Sequence, residues 1–193
     1  MKRVTVFCGA SSGNDAIYYT QAIHVGQTLV TNGLDLVYGG GKIGIMGAVA
    51  DGVLAAGGRV IGVIPKFLSG KEIAHDGLTE LILVDTMHER KAKMHELCDG
   101  IITLPGGFGT MEELFEMLTW AQLGLHGKPI GLLNTNGYYD SLIALIQDMV
   151  DRGFLKEINQ NMLLVSTDIA DLLSQMTAYI APEVPKWISE ETT

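Results

Sequence analysis

Positive charge is scarce in this sequence, and the shortage limits the partners that the chain can bind. The 193 residues contain 13 Lys and Arg against 22 Asp and Glu, which gives a net charge of −9. Proteins that bind nucleic acid need a basic face for the phosphate backbone. We therefore expect no nucleic-acid partner, although a small anion can still bind at a helix N-terminus beside one or two basic side chains.

Cysteines and long apolar runs are also scarce. Cys8 and Cys98 lie in or beside apolar runs, which favours reduced, buried thiols over a disulfide. No run approaches the roughly 18 apolar residues of a membrane-spanning helix, and the first residues show no signal-peptide pattern. We therefore expect a cytoplasmic protein with no membrane partner.

Short β-branched runs alternate with longer helical patterns along the chain, which is typical of a parallel sheet covered on both sides. The sequence predicts a single α/β domain over residues 1–181, a Rossmann-like doubly wound parallel sheet of about seven strands with helices on both faces, followed by a loose tail over residues 182–193. The predicted strands are residues 4–8, 34–38, 59–65, 81–85, 100–105, 129–134 and 162–166, and the predicted helices are residues 15–32, 43–56, 87–98, 110–124, 138–151 and 168–180.

Two glycine-rich turns near the N-terminus match known motifs only in part. GASSG, residues 9–13, fits the G-x-S-x-G pattern of hydrolase nucleophiles, but it follows the first strand and no Asp and His pair follows in the expected context. GGGKIG, residues 39–44, contains G-x-G-x-x-G, but it follows the second strand, and Ile43 stands where a P-loop needs Ser or Thr. We interpret both as turns that let a ligand approach the backbone, with Ser11 or Ser12 as a polar contact.

The histidines do not form a metal-binding pattern. His88 and Glu89 begin an H-E pair, but Ala92 stands where the second histidine of H-E-x-x-H would be. His88 and His95 lie two helical turns apart, which is too far for one zinc ion without other ligands. We expect no metal site, and surface or capping roles for these two histidines.

The segment LPGGFGTMEE, residues 104–113, joins a predicted strand to a predicted helix. Its glycines let a ligand reach backbone N–H groups, and the helix start offers unpaired N–H groups and a partial positive charge. These features predict a phosphate-binding loop at the carboxyl end of a strand. Thr110 and Glu113 also fit a capping box, so the pattern alone leaves open whether Glu113 is a cap or a catalytic carboxylate.

A basic pair precedes this loop in MHERKAKM, residues 87–94. Arg90 and Lys91 fall in the first turns after the fourth predicted strand, on the rim where we expect the glycine loop. A guanidinium beside a carboxylate keeps the carboxylate ionised and can also neutralise a phosphate or a leaving group. A solvated helix face explains the pair equally well from pattern alone.

P-G-G-x-G-T-x-x-E over residues 105–113, with M-H-x-R-K over residues 87–91, resembles the paired motifs of the LOG ("Lonely guy") family. The resemblance covers most of the chain, including FCGASSG, YGGG, IGIMGAVA, VIGVIP, TWAQLG and HGKPIGLLN. LOG proteins are cytokinin riboside 5′-monophosphate phosphoribohydrolases, often mislabelled as lysine decarboxylases. The resemblance implies hydrolysis of the N-glycosidic bond of an AMP-type nucleotide to free base and ribose 5-phosphate, without a cofactor, in a homodimer with its active site near the subunit boundary.

The resemblance also implies roles for individual residues. Arg90 and Glu113 would form the catalytic pair. Glu72 would belong to the irregular polar stretch of residues 66–79, as a wall of the base pocket. Substrate contacts would come from Glu72, Arg90, Lys91, Gly107, Phe108, Gly109, Thr110, Met111, Glu112, Glu113 and Thr119.

The chemistry of glycosidic cleavage fits these residue types. Breaking a ribosyl C–N bond builds positive charge on the sugar, which a carboxylate stabilises. Arginine rarely gives up a proton, so Arg90 would serve in positioning and charge stabilisation. Two alternatives are a pyridoxal-phosphate decarboxylase, for which no lysine has a recognisable context, and a nucleotide-binding module without turnover. The sequence does not distinguish a cytokinin nucleotide from AMP as the substrate.

Overall fold

The computed structural model describes residues 1–69 and 74–183. Glu72 and most of the tail predicted over residues 182–193 lie outside the described residues. Within the described part of the chain, no helix is long and apolar enough to span a membrane.

Strands alternate with helices through the described residues in the order that the sequence predicts. The strands are β1 Arg3–Phe7, β2 Asp35–Tyr38, β3 Val60–Pro65, β4 Glu80–Val84, β5 Gly100–Thr103, β6 Ile130–Leu133 and β7 Leu163–Ser166. The helices are α1 Ala16–Thr31, α2 Gly44–Ala55, α3 Lys66–Ser69, α4 Met87–Leu97, α5 Phe108–Gln122, α6 Asp140–Asp151, α7 Glu157–Gln160 and α8 Ile169–Ala178, with a 3-10 turn at Thr135–Gly137.

The seven strands form one parallel sheet in the order β4-β3-β2-β1-β5-β6-β7. The strand order reverses between β1 and β5, so a crevice opens between the loops that follow these two strands. This reversal confirms the predicted doubly wound sheet. Ligands of such folds bind at that crevice, and the glycine loops after β1 and β5 both border it.

Two apolar layers cover the sheet. The side chains of α1, α2 and α8 pack on one face, around Val25, Val49 and Leu172. The side chains of α4 and α5 pack on the other face, around Met94 and Met117. Because both faces are covered, β1, β2, β5 and β6 are almost entirely buried, which explains their continuous apolar sequences.

Helix α4 crosses the sheet from its edge to its centre, because β4 is an edge strand and β5 lies beyond β1. Arg90 of α4 donates from Nε to the carbonyl oxygen of Val63 in β3 at 3.1 Å. One turn further along, the Met94 carbonyl accepts from Thr5 Oγ1 of β1 at 2.9 Å. The crossing therefore carries Arg90 from the edge strand to the rim that the β5 loop shares, as expected, although β4 and β5 are not neighbours.

The structure differs from the sequence prediction at short elements. Residues 66–79 are predicted to be irregular, but they begin with the short helix α3. The one-turn helix α7 lies between the last two predicted elements. A single turn has no measurable period, so neither helix carries a hydrophobic signal in the sequence.

Both cysteines are free and buried, which confirms the expected thiols. The role expected for His95 is wrong in detail, since its ring packs edge-on against Trp120 at 5.4 Å and lies 4.8 Å from the His126 ring. Burial lowers the pKa of His95 to about 4, helped by the charges of Lys128 and His126. Burial also lowers the pKa of His126.

These two histidines predict an acid-dependent loss of stability. In the unfolded chain the two histidines bind protons below about pH 6.5, whereas the folded His95 stays neutral until about pH 4. The buried histidines therefore lower the free energy of unfolding as the pH falls from about 6.5 to about 4. We expect the His95→Gln variant to lose less melting temperature than the wild type between pH 7.5 and pH 5. The exposed His24 supplies the control, since His24→Gln should keep the wild-type slope, and equal slopes for all three proteins would contradict the prediction.

Candidate active site

Arg90 and Glu113 form a buried ion pair between α4 and α5. Arg90 Nη1 donates to Glu113 Oε1 at 3.2 Å, and the two side chains are only 12% and 10% exposed. Breaking such a pair leaves an unpaired buried charge, which costs several kcal/mol, about 3 to 5. The structure thus brings together the two residues for which the family resemblance implies catalysis.

The guanidinium of Arg90 rests on the backbone of Gly39, the first glycine of the GGGKIG turn. A Cβ atom at Gly39 would lie 1.9 Å from Arg90 Nη2. A side chain here would therefore push the guanidinium away from Glu113. The turn does permit close approach to its backbone, as predicted, but the group that approaches Gly39 is the chain's own arginine.

Glu113 has a strongly perturbed acidity. Burial raises the pKa of Glu113 to about 7, against the opposing charge of Arg90, and the charge of Glu112 raises it further. Protonated and ionised forms are thus both accessible near neutral pH, which is typical of functional carboxylates. Burial and the nearby Glu113 charge also raise the pKa of the Cys8 thiol, so this thiol is protonated and does not act as a nucleophile.

Lys91 lies beside this pair, but carboxylates already hold its ammonium group. Lys91 Nζ donates to Glu112 Oε1 at 2.5 Å and to Glu116 Oε1 at 2.9 Å. Burial by itself lowers the pKa of Lys91, while the two hydrogen bonds and charges raise it overall. Glu116 is a site residue that the sequence prediction missed, although its i, i+4 spacing from Glu112 places both carboxylates on one face of α5.

Together these five side chains form a charge cluster, which comprises Arg90, Lys91, Glu112, Glu113 and Glu116. When every member is ionised, the two cations and three carboxylates leave one negative charge. A negative cluster favours developing positive charge over an additional phosphate. The charge cluster is therefore suited to a cationic transition state, and an anionic group of the substrate needs a separate place.

The N-terminus of α5 provides such a place, and the capping box that the sequence pattern left open does not form there. The helix begins at Phe108 with Gly107 as its N-cap, and no side chain caps it. Thr110 is buried inside the first turn against Gly106, and Glu113 pairs with Arg90. The paired glycines start the helix before Thr110, so its first N–H groups lie at the glycine loop without a side-chain acceptor.

The start of α2, which follows the GGGKIG turn, is closed to an anion. Ile45 and Met46 at the start of α2 donate their N–H groups to the carbonyl oxygens of Ser11 and Gly9 at 3.4 and 3.2 Å. Ser11 Oγ accepts from the N–H of Gly13 at 3.3 Å, as in a local turn. GASSG therefore organises the backbone, and a serine-nucleophile role has no support from its contacts.

A cleft of about 410 Å³ opens at the crevice between β1 and β5. The N–H of Gly9 donates to the Pro105 carbonyl at 3.0 Å, which joins the two loops that border the cleft. Its lining is Gly9, Ala10, Ser11, Gly13, Asn14, Tyr18, Ile45, Pro105, Gly106, Gly107 and Tyr138.

The remaining predicted contact residues lie in different surroundings. A Cβ atom at Gly107 or Gly109 would meet nothing within 4 Å, and Phe108 is 97% exposed, so these residues face open space at the start of α5. Met111 packs against the core under α5.

Thr119 lies outside the cluster. Thr119 follows Glu113 by six residues, which is about 9 Å along the helix. Its Oγ1 donates to the Phe115 carbonyl at 2.7 Å, and the side chain lines a separate groove between α5 and α6. Glu72 lies outside the described residues. Among the residues that are described, no group of three or more potential metal ligands occurs.

Comparison with known proteins identifies the family of the chain. A family model described as "possible lysine decarboxylase" matches residues 46–176. Two cytokinin riboside 5′-monophosphate phosphoribohydrolases of Arabidopsis thaliana are 43% and 49% identical to the chain; the first match covers 100% of the chain and 92% of the relative, and the second covers 92% and 78%.

Solved structures share the fold at lower identity. A molybdenum cofactor binding protein from Rippkaea orientalis superposes with a TM-score of 0.70 at 19% identity, covering 92% of this chain and 97% of that one. The molybdenum cofactor carrier protein of Chlamydomonas reinhardtii gives a TM-score of 0.69 at 21% identity, covering 92% and 99%. At such identities the match concerns the fold alone. The family model and the close relatives, in contrast, extend through both site motifs, and the chain belongs to the LOG family.

Proposed function

We propose that the chain hydrolyses the N-glycosidic bond of cytokinin riboside 5′-monophosphates, and of AMP, to give the free base and ribose 5-phosphate. The observation that carries the proposal is the buried Arg90–Glu113 pair beside the uncapped start of α5. The relatives named as phosphoribohydrolases act on the first of these substrate classes. AMP is included because its phosphate, ribose and purine present the same groups to the site.

The substrate's phosphate binds at the start of α5 in this proposal. The N–H groups there have no side-chain cap, and Gly107 and Gly109 leave open space for an anion. The helix N-terminus adds a partial positive charge. Phosphate binding away from the reacting bond then holds the ribose over Glu113.

The base lies on the opposite side of the charge cluster, toward the turn after β2. The described residues 74–79 close that side, because Ala74 bridges to Gly41 and the His75 N–H donates to the Gly40 carbonyl at 2.9 Å. A base bound there would lie beside the 66–79 stretch, in which Glu72 is expected to form a wall of the base pocket.

Cleavage transfers the bonding electrons of the C1′–N9 bond to the departing base and leaves an oxocarbenium-like ribose. The Glu113 carboxylate stabilises this cation, and the negative charge cluster around it adds to the effect. Water adds hydroxide to C1′, and its proton balances the charge on the base. Arg90 opposes the effect of burial on the pKa of Glu113, which favours the ionised form, and its hydrogen bond orients the carboxylate.

Thr119 motivates a further part of the proposal, that the enzyme is a homodimer. Thr119 is separated from the charge cluster within one chain, so its implied substrate contact requires a second copy. Leu155 lines the same groove as Thr119, and the preceding Phe154 is 86% exposed, as expected of an apolar surface that a second copy covers. We also propose a cytoplasmic location, with no nucleic-acid or membrane partner.

Replacing Glu113 tests the catalytic role. Glu113→Gln keeps the shape and a hydrogen-bond acceptor for Arg90 but removes the charge, so kcat should fall by at least about 100-fold. Release of adenine from AMP and of the N6-prenylated base from its monophosphate is measured by chromatography, beside the melting temperature. Retained turnover with lowered stability would reduce Glu113 to a structural residue, and no release by the wild type from any purine monophosphate would overturn the function.

Gly39→Ala tests the position of Arg90 without removing it. The added methyl group displaces the flexible end of the arginine, not the backbone, so we expect kcat/KM to drop on the order of 100-fold. The melting temperature should also fall, because the displaced guanidinium leaves Glu113 without its buried partner. Arg90→Lys should lose a similar amount, because an ammonium group lacks the planar fork of a guanidinium. The double variant should lose no more kcat/KM than either single variant. Additive losses would show that Gly39 acts independently of Arg90 and would contradict this prediction.

The acidity of Glu113 sets a pH dependence. Its raised pKa of about 7 means that the ionised form is lost as the pH falls through neutrality. If the carboxylate is the active form, kcat/KM for AMP should rise with pH and level off above about pH 8. A profile recorded between pH 5.5 and 9 that is flat through pH 7 would contradict this assignment.

A further inference from the structure

Two consecutive tyrosines after β6 hold the glycine loop that follows β5. Tyr138 OH donates to the Gly106 carbonyl at 2.6 Å, and Tyr139 OH donates to the Leu104 carbonyl at 2.7 Å. These carbonyls flank Pro105, so the two phenols clamp the loop on both sides of the proline. Neither tyrosine belongs to the motifs that mark the site in the sequence.

The two phenols differ in their surroundings. Tyr139 is buried in the core, where its bond satisfies a buried carbonyl, as folding requires. Tyr138 is 44% exposed and lines the cleft at the strand-order reversal. Its ring meets Tyr18 edge-on, with ring centroids 5.9 Å apart. Tyr138 therefore contacts the loop from the side that a ligand can reach.

Tyr138 is itself held firmly. The 3-10 turn before it has left-handed backbone angles at Asn136 and Gly137, with φ of 53° and 71°. Asn134 braces the same turn, since its side chain donates to Asp140 at 2.7 Å and accepts from the Tyr139 N–H at 2.7 Å. A rigid turn thus fixes the direction of the Tyr138 phenol.

The bond to Gly106 controls a peptide plane of the phosphate loop. The Gly106 carbonyl and the Gly107 N–H belong to one planar trans peptide, so they point in opposite directions. Holding the oxygen therefore also holds the N–H. A Cβ atom at Gly107 would meet nothing within 4 Å, so no side-chain packing at this position restricts the plane. Without the phenol the plane can rotate, at an entropic cost to anion binding.

We propose that Tyr138 is a positioning residue that preorganises the phosphate-binding loop, and thereby sets the preference for 5′-phosphorylated over unphosphorylated ligands. This inference rests on the proposed phosphate site at the start of α5. Tyr138 takes no part in bond cleavage, so its effect is confined to the phosphate-bearing part of the ligand.

Tyr138→Phe removes only the hydroxyl group and tests the proposal by calorimetry. Losing one hydrogen bond to the loop should weaken ribose 5-phosphate binding about tenfold, while the affinity for free adenine stays unchanged. KM for AMP should rise by the same factor, with kcat within about twofold. Because binding needs no turnover, a wild type that binds ribose 5-phosphate without hydrolysing AMP would overturn the proposed activity and still test Tyr138.

Tyr19→Phe is the matched control, because it removes a phenol oxygen from a tyrosine that is 40% exposed and does not line the cleft, and it leaves the bond to Gly106 intact. It should bind both ligands as the wild type does. Tyr138→Leu removes the ring as well and should bind ribose 5-phosphate no more tightly than Tyr138→Phe. The proposal would be overturned if Tyr138→Phe weakened the binding of ribose 5-phosphate and of adenine equally. It would also be overturned if Tyr138→Phe bound ribose 5-phosphate as the wild type does and only Tyr138→Leu lost affinity.

Discussion

The buried ion pair between Arg90 and Glu113 is the constraint on which the site depends. Two charges that are nearly removed from water remain stable only if each keeps its partner. The pair fixes the separation of α4 and α5, which follow β4 and β5, two strands on opposite sides of the central strand β1. The crossing of α4 over β3, the Val63 carbonyl and the bare backbone of Gly39 all serve to place one guanidinium.

The same constraint separates two electrostatic tasks. The carboxylates around Arg90 and Lys91 outnumber the cations, so the charge cluster attracts a positive sugar and repels a phosphate. In the proposed mechanism the phosphate binds instead to the backbone at the start of α5, where glycines replace side chains and no carboxylate caps the helix. If Thr110 and Glu113 formed a capping box, Glu113 would turn toward the helix start and would repel the group that has to bind there. Helix start and catalytic carboxylate are thus compatible only because the helix begins earlier, at Phe108.

Sequence patterns predict the repeating part of this structure and miss the contacts between its elements. Burial on both faces of a parallel sheet requires continuous apolar runs, and helices that cover the sheet show helical periodicity. The seven strands and the long helices can therefore be predicted from the sequence. The order of the strands leaves no local pattern, and neither does the route of α4. Glu116 contacts Lys91, 25 positions away, and the Tyr138 phenol bonds to Gly106, 32 positions away. No local periodicity predicts contacts over such separations. The T-x-x-E pattern misleads because it records spacing and says nothing about where the glycines start the helix.

The glycines of the site divide into two kinds once their neighbours are known. A Cβ at Gly39 would displace Arg90, and one at Gly106 would collide with Thr110, so these two positions accommodate the protein's own side chains. Gly107 and Gly109 meet nothing within 4 Å, and only their lack of a side chain leaves the helix start open. A glycine-rich motif of this kind therefore does not by itself locate a ligand. The candidates for ligand contact are the glycines around which the folded chain leaves open space, and here both lie at the N-terminus of α5, where we propose that the phosphate binds.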